Sequence, residues 1–406
     1  MIEMENNKTN IVNDIKSLVS NYMTESVTAD LIKVLEEDIT LKANKDLFPS
    51  DLEKEQVEYE FPQGTKYRLI IDRTITECER LLPEEKFYRL LLDLSQLMLF
   101  SGENSFALEI AEYQLNKLNS PNNFQLITAE TNLMIARIYW AQAYWDDCNY
   151  HISEAMKIFQ SVNNNPGMAK CENMFGTLYG EKGEFNDAKS HLENALTYLK
   201  DEEDILSHAM ILTNLGIINA IQGDYEKAVW NCKSSIEKFE KLSDTRRLSR
   251  VHHNIGMLYS RMEKYDAALD EFNKCITLSL ENNYMSNCAV AYIGKAFIYT
   301  KLKNFSLADA YTNKAMEIAY RINDTLSIAD IYKIKGMIQN DLENFQLSEE
   351  LFENSMRLNK DMENKCNEAE TSVEIGKLLK KRERNDEAEK YISSADNYFK
   401  ELNDEN

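Results

Sequence analysis

The chain has 406 residues, 43% of them hydrophobic, with 68 acidic against 46 basic side chains and a net charge of −22. Such an acidic excess works against nucleic acid as a partner, because phosphate binding rests on clustered cations that displace counterions. Met1–Asn10 is polar and no run approaches the roughly 18 apolar residues of a membrane span, so a cytoplasmic protein with neither membrane nor nucleic-acid partner is expected.

From the N-terminus, polar helical stretches are predicted over 11–22 and 27–44, then a loop containing Pro49, Pro62 and Gly64, then a helix over 66–82. Ser50 and Glu53 stand at capping-box spacing, which suggests a short helix between the prolines. No helix-turn-helix segment is visible in 1–83, and this stretch is read as an N-terminal helical segment without an assigned role. Residues 84–120 look like a degenerate repeat unit, one residue out of register with the units after it, in which Leu94, Met98, Gly102, Ala107 and Ala111 hold the expected places.

From Ala129 onward a pattern returns every forty positions. Gly176, Gly216, Gly256, Gly336 and Gly376 stand at that interval, with Ala136 and Ala296 in the remaining places; aromatics recur at Trp145, Phe185, Tyr225, Tyr265, Phe305 and Phe345 until Asn385 breaks the series. Seven units are in register without an insertion. Each reads as two amphipathic helices joined by a short polar turn such as Gly223-Asp224-Tyr225. Interior glycine costs a helix about 1 kcal/mol relative to alanine, so a glycine column needs a packing reason, and helix axes crossing at about 8–10 Å supply one. The predicted architecture is an all-α solenoid over 84–406.

Nothing catalytic accompanies the repeat. The seven cysteines are odd in number, scattered and without a C-x-x-C pair, and read as reduced core residues; only His252 and His253 of the five histidines are adjacent. The glycines form no phosphate-binding loop, and neither G-x-S-x-G nor His-Glu-x-x-His occurs, so no enzymatic activity, metal or cofactor is expected.

Asn214-Leu215-Gly216 through Gly223-Asp224-Tyr225-Glu226-Lys227-Ala228, and Asn254-Ile255-Gly256 through Lys264-Tyr265-Asp266-Ala267-Ala268, resemble the tetratricopeptide repeat over 129–400. The forty-residue period exceeds the usual length of about 34 and is similar to the long-helix form of bacterial peptide-sensing regulators such as the Rap phosphatases, and of kinesin light chains. The resemblance implies a right-handed superhelix in which the first helix of each pair lines the concave side.

One stripe departs from the acidic background. At 100° per residue, Arg246, Arg250, His253, Met257 and Arg261 fall within an arc of about 80°, opposite Ile255 and Tyr259. The equivalent columns are Met210, Thr213, Ile217 and Ile221 in the preceding unit and Val290, Ile293, Phe297 and Lys301 in the following one. By the resemblance these share a groove, to which Asn214 and Asn254 add amides of the kind relatives use to bond a peptide backbone, with Arg137, Trp140 and Asn173 extending the wall. Such a groove suits a protein or peptide segment with an acidic group or free carboxylate beside hydrophobic side chains. The competing expectation is that the arginines pair with Glu or Asp of neighbouring helices and the apolar ribs pack between units. Three functions are open to such a chain: a non-enzymatic binding scaffold; a Rap-like regulator in which a peptide gates N-terminal helices that act on a signalling partner; and a homo-oligomer joined through the exposed end of the solenoid. Residues 1–83 do not match the Rap N-terminal bundle, so no residue role carries over.

Overall fold

A computed structural model describes residues 13–25, 27–29, 32, 63–118, 124–199 and 204–404. The loop at Pro49, the helix proposed after Ser50 and most of the stretch 27–44 lie outside the described residues. Within them all regular structure is helical, and the chain divides into two compact units, Met1–Met174 and Phe175–Asn406.

In Met1–Met174, residues 13–20 are helical, and the helix expected over 66–82 runs Gln63–Leu81. Gly64 therefore lies in a first turn and not in a loop, where it breaks nothing, since first-turn N–H groups have no intrahelical acceptor. Ile15, Val19, Ile70, Ile71, Phe87 and Leu91 share one core. Helices Glu84–Phe100 and Asn104–Leu118 form a hairpin, as do Gln125–Ala141 and Trp145–Ser161. Gly102 turns the first of these with φ of 79°, while Ala143 turns the second, 41 positions on.

In Phe175–Asn406 the hairpins become uniform. Every helix from Ile205–Ile221 to Lys365–Lys381 is 17 residues long, and each turn takes three. In the three-residue turns of this unit the middle residue is left-handed: Gly183 and Gly223, then Ser243, Glu263, Asn283, Lys303, Asn323, Glu343, Glu363 and Glu383, the last eight at φ between 53° and 64°. The backbone thus repeats every twenty residues while the side chains repeat every forty.

Each turn closes the helix before it and opens the one after. The Lys303 N–H donates to the Thr300 carbonyl at 3.0 Å and the Asn304 N–H to the Tyr299 carbonyl at 2.8 Å, the paired bonds of a Schellman cap. Asn304 is then the N-cap of Phe305–Arg321, its side chain accepting from the Leu307 N–H at 3.3 Å; Asp224, Asp244, Asp324 and Asn364 cap their helices the same way. With C-cap running straight into N-cap, no slack residue is left to vary the angle between helices.

The glycine column marks where the second helix rests on the first. A Cβ on Gly256 would sit 2.7 Å from the Phe272 ring, one on Gly216 2.6 Å from Cys232 Sγ and one on Gly336 2.6 Å from the Phe352 ring. Ser348 replaces alanine in a packing column because its buried hydroxyl donates to the Gly336 carbonyl at 2.8 Å. Six cysteines are buried and free, and burial pushes the thiols of Cys171 and Cys232 up to about 12; Cys366, expected in the core, is exposed.

Consecutive first helices of this unit lie side by side: Ile205–Ile221 against Thr245–Arg261, Thr245–Arg261 against Met285–Lys301, and so on to Lys365–Lys381. Among the described residues consecutive second helices approach each other less closely, so the first helices form the more closely spaced inner wall. Its last two members are tied by ions. Lys333 reaches Asp330 at 3.1 Å and Glu370 at 2.6 Å, and Lys381 reaches Asp341 at 3.2 Å.

Candidate functional site

Thr245–Arg261 begins at Asp244, which accepts the Arg247 N–H at 3.0 Å and also pairs with the Arg247 guanidinium. Val251, Ile255, Gly256 and Leu258 are buried, which turns Arg246, Arg250, Met257 and Arg261 to solvent. Among the described residues, the guanidinium groups of Arg246, Arg250 and Arg261 meet no carboxylate within ion-pair distance and make no hydrogen bond. The competing expectation of Glu or Asp partners for them is therefore not met.

Each arginine sits in a different field. Arg246 lies 6.0 Å from the Tyr284 ring centroid, and the Tyr284 hydroxyl is 3.0 Å from Thr245 Oγ1. Tyr284 occupies the N-cap place that Asp244 and Asp324 fill in neighbouring units, and an aromatic among Asx residues at that column is a signal readable from the sequence alone that periodicity of the stripe does not pick out. Although Arg250 reaches solvent, desolvation of its guanidinium by the neighbouring side chains lowers its pKa, and the charges of Arg246 and Arg247 add to the effect. Although Cys366 reaches solvent, desolvation by its neighbours raises its thiol pKa, and the positive charges of Lys333 and, more weakly, Arg261 oppose that rise.

His253 differs from the rest of the stripe. Its ring packs 5.7 Å from that of Phe272, and burial, then the Arg250 charge, push its pKa to about 4, so it is neutral near pH 7. Its Nδ1 is buried without a hydrogen-bond partner among the described residues. The stripe's charge therefore resides on its arginines. Asn254, half-buried one turn beyond Arg250, has no hydrogen-bond partner for its amide among the described residues. Asn214 is engaged, with Nδ2 donating to Thr177 Oγ1 at 3.4 Å.

The flanking apolar ribs are unequal. Ile217 is 41% exposed, Ile221 45% and Met257 37%, whereas Ile293 and Phe297 are half-buried and pack in the cluster holding Ile334 and Ile338. Lys301 Nζ lies 5.1 Å from the Phe297 ring centroid. One rib stands open and the other is partly used in stacking the units, as the competing expectation had it for both.

Arg137, Trp140 and Asn173 belong to Met1–Met174. Arg137 donates to Gln96 Oε1 at 3.1 Å, and Trp140 Nε1 is buried without an acceptor among the described residues. That unit also holds a cavity of 310 Å³ lined by Ile71, Ile75, Phe106, Ile110 and Tyr113 below the Arg68–Glu109 ion pair. It lies before the in-register repeats, so the forty-residue period gave no sign of it. Among the described residues no three His, Cys, Asp or Glu side chains gather as a metal site, and no helix is long and apolar enough to cross a membrane.

Comparison with known proteins bears on the hairpins. Residues 207–281 match the family model "Tetratricopeptide repeat". A stretch of 112 residues is 30% identical to anaphase-promoting complex subunit CDC16 of Saccharomyces cerevisiae, covering 27% of this chain and 13% of that protein's length. In fold, the chain is similar to a Rap protein solved in complex with competence and sporulation factor, with a TM-score of 0.58 at 13% identity over 98% of this chain and 99% of that one. It is also similar to the Rap conjugation gene regulator of plasmid pLS20, solved in complex with a Phr peptide, with a TM-score of 0.56 at 11% identity over 78% of this chain and 96% of that one. Residues 207–281 thus carry the tetratricopeptide repeat, and the chain is a helical repeat protein similar in fold to the Rap proteins.

Proposed function

We propose that the inner wall of Phe175–Asn406 captures an extended peptide or protein segment that carries an acidic group or free carboxylate beside apolar side chains. One observation carries the reading: Arg246, Arg250 and Arg261 stand on the solvent-facing stripe of one first helix without a carboxylate partner among the described residues, in a chain whose net charge is −22. With acids so abundant, arginines left unpaired serve a partner better than they serve the fold. Asn254 adds a free amide for a peptide backbone, and Ile217 and Ile221 an open apolar surface. A protein of similar fold was solved with a peptide bound, which supports the ligand class. On this reading the chain is a non-enzymatic cytoplasmic scaffold, and a stack of equal hairpins can shift curvature when a ligand favours one shape. Against an identified partner, Arg250→Glu and Asn254→Ala, each folded by circular dichroism, are expected to weaken binding about tenfold or more by calorimetry, the loss of a charge-assisted or backbone hydrogen bond; unchanged affinity for both would refute the assignment.

A second reading has a specific support, the likeness to a Rap protein over 98% of this chain, which takes in residues before the repeats. On it, 84–406 is the peptide-binding solenoid and 1–83 carries an output toward a signalling partner. Peptide-dependent release or recruitment of a protein captured by the full chain, lost on Arg68→Ala with peptide affinity intact, would favour it; capture indifferent to peptide would favour the scaffold.

A further inference from the structure

Thr245–Arg261 gathers positive charge beside a place where other units bring acid. The residue just before a first helix is Asp204, Asp244, Asp324 or Asn364, but before Met285–Lys301 it is Tyr284. The Tyr284 ring stands 6.0 Å from the Arg246 guanidinium, so an aromatic face replaces the carboxylate of the column next to that cation. Asp244, the acid nearest in sequence, is taken up by Arg247 and by the Arg247 N–H. The backbone under the arginines is braced from the next helix: Asn287 Nδ2 donates to Ser249 Oγ at 2.7 Å, and the Tyr284 hydroxyl lies 3.0 Å from Thr245 Oγ1. Arg246 and Arg250 are thus held on one face, one turn apart and about 6 Å along the axis. Their mutual repulsion is unrelieved, since the charges of Arg246 and Arg247 add to the desolvation that lowers the Arg250 pKa.

We propose that Arg246 and Arg250 form a phosphomonoester site, at which the captured segment presents a phosphorylated serine or threonine. The inference rests on the peptide-binding reading above and names its acidic group. A carboxylate carries one negative charge and neutralises one of the two guanidinium groups. A phosphomonoester carries about −1.5 to −2 near pH 7 and three acceptor oxygens, enough to match both cations through charge-assisted hydrogen bonds. The planar fork of each guanidinium fits that group bidentately, which a lysine pair would not. Apolar surface beside the site favours a peptide as the carrier over free phosphate. Met257 lies about 10 Å beyond Arg250 along the axis, Ile217 stands level with Met257 by the forty-residue period on the first helix packed before it, and both are open to a ligand's side chains. The chain's net charge of −22 repels a dianion at a distance, but screening over about 8–10 Å confines that repulsion while the contact persists.

The test follows the fluorescence anisotropy of degenerate, fluorescein-labelled peptide pools, with phosphoserine, glutamate or serine fixed at the centre, as the full chain is added. The phosphoserine pool is expected to bind about tenfold tighter than the glutamate pool, the effect of one further charge-assisted hydrogen bond, and the serine pool to bind weakest. Arg246→Gln and Arg250→Gln, each folded by circular dichroism, should bring phosphoserine down to the level of glutamate. Tyr284→Asp, which restores the acid of the other units, should do the same with both arginines in place. Equal binding of the phosphoserine and glutamate pools, lost in Arg250→Gln, overturns the phosphate and leaves the carboxylate reading standing. Inorganic phosphate that competes as tightly as the phosphoserine pool binds overturns the peptide as its carrier. A phosphoserine preference unchanged in both arginine variants overturns the placement, and no binding by any pool up to millimolar concentration overturns the peptide-binding reading with it.

Discussion

Gly256 carries no side chain because Phe272 occupies the space one would need, 2.7 Å from the position of a Cβ. Gly256→Ala gains about 1 kcal/mol of helix propensity but overpacks a buried ring, at a cost of about 1–3 kcal/mol, so a net loss is expected in urea titration. Phe272→Leu in the same chain should recover most of the loss; a cost unchanged by the second substitution would contradict the contact. His253 gives a pH prediction. Its folded pKa of about 4 lies below the 6.5 of the free group, so the unfolded chain takes the proton first. The stability this supplies is fully present above about pH 6.5 and is lost as pH falls through 4, on the order of 3 kcal/mol across the window. His253→Gln should flatten the slope of stability between those pH values, and parallel slopes would contradict it. The glycine column was plain in the sequence, whereas the side chains resting on it were not. Leu192, Cys232, Phe272 and Phe352 fill one place with different shapes, and only packed coordinates show that they play one part. His253 likewise fell on the stripe by periodicity, yet its ring turns inward.

At the scale of the element, seventeen-residue helices alternate with left-handed three-residue turns. Gly183 and Gly223 announced two of those turns, but eight later ones use residues that pay for positive φ, so the twenty-residue backbone period was hidden beneath the forty-residue period of the side chains. Lys303 is exposed at φ of 57°, and Lys303→Gly is expected to stabilise by about 0.5–1 kcal/mol where Lys303→Ala does not. Asp324→Ala removes an N-cap that accepts the Ser327 N–H at 3.1 Å and should cost about 1 kcal/mol. The midpoint of chemical denaturation measures both. A destabilised Lys303→Gly chain would mean the turn is not left-handed in solution.

For the molecule, the inner wall changes character along its length. Its last two first helices are tied by Lys333–Glu370 and Lys381–Asp341, while Arg246, Arg250 and Arg261 stay unpaired among the described residues. Lys333→Gln leaves Asp330 and Glu370 without their shared cation and should cost on the order of 1–3 kcal/mol. Arg250→Gln should leave the melting temperature unchanged or raise it, since it removes a charge crowded by Arg246 and Arg247. The repeat, its seven units and the basic stripe were legible because side-chain identity recurs at fixed intervals. That Ile217 stays open while Phe297 is drawn into the next unit was not, because both columns are equally apolar and only the packing of neighbours separates them. The most direct test of the inner wall as the binding surface is hydrogen–deuterium exchange of the full chain with and without a saturating acidic peptide selected on the full chain from a random peptide library. Added protection confined to Ile205–Ile221, Thr245–Arg261 and Met285–Lys301 is predicted; protection of the second helices alone, or of Met1–Met174 alone, would contradict the account.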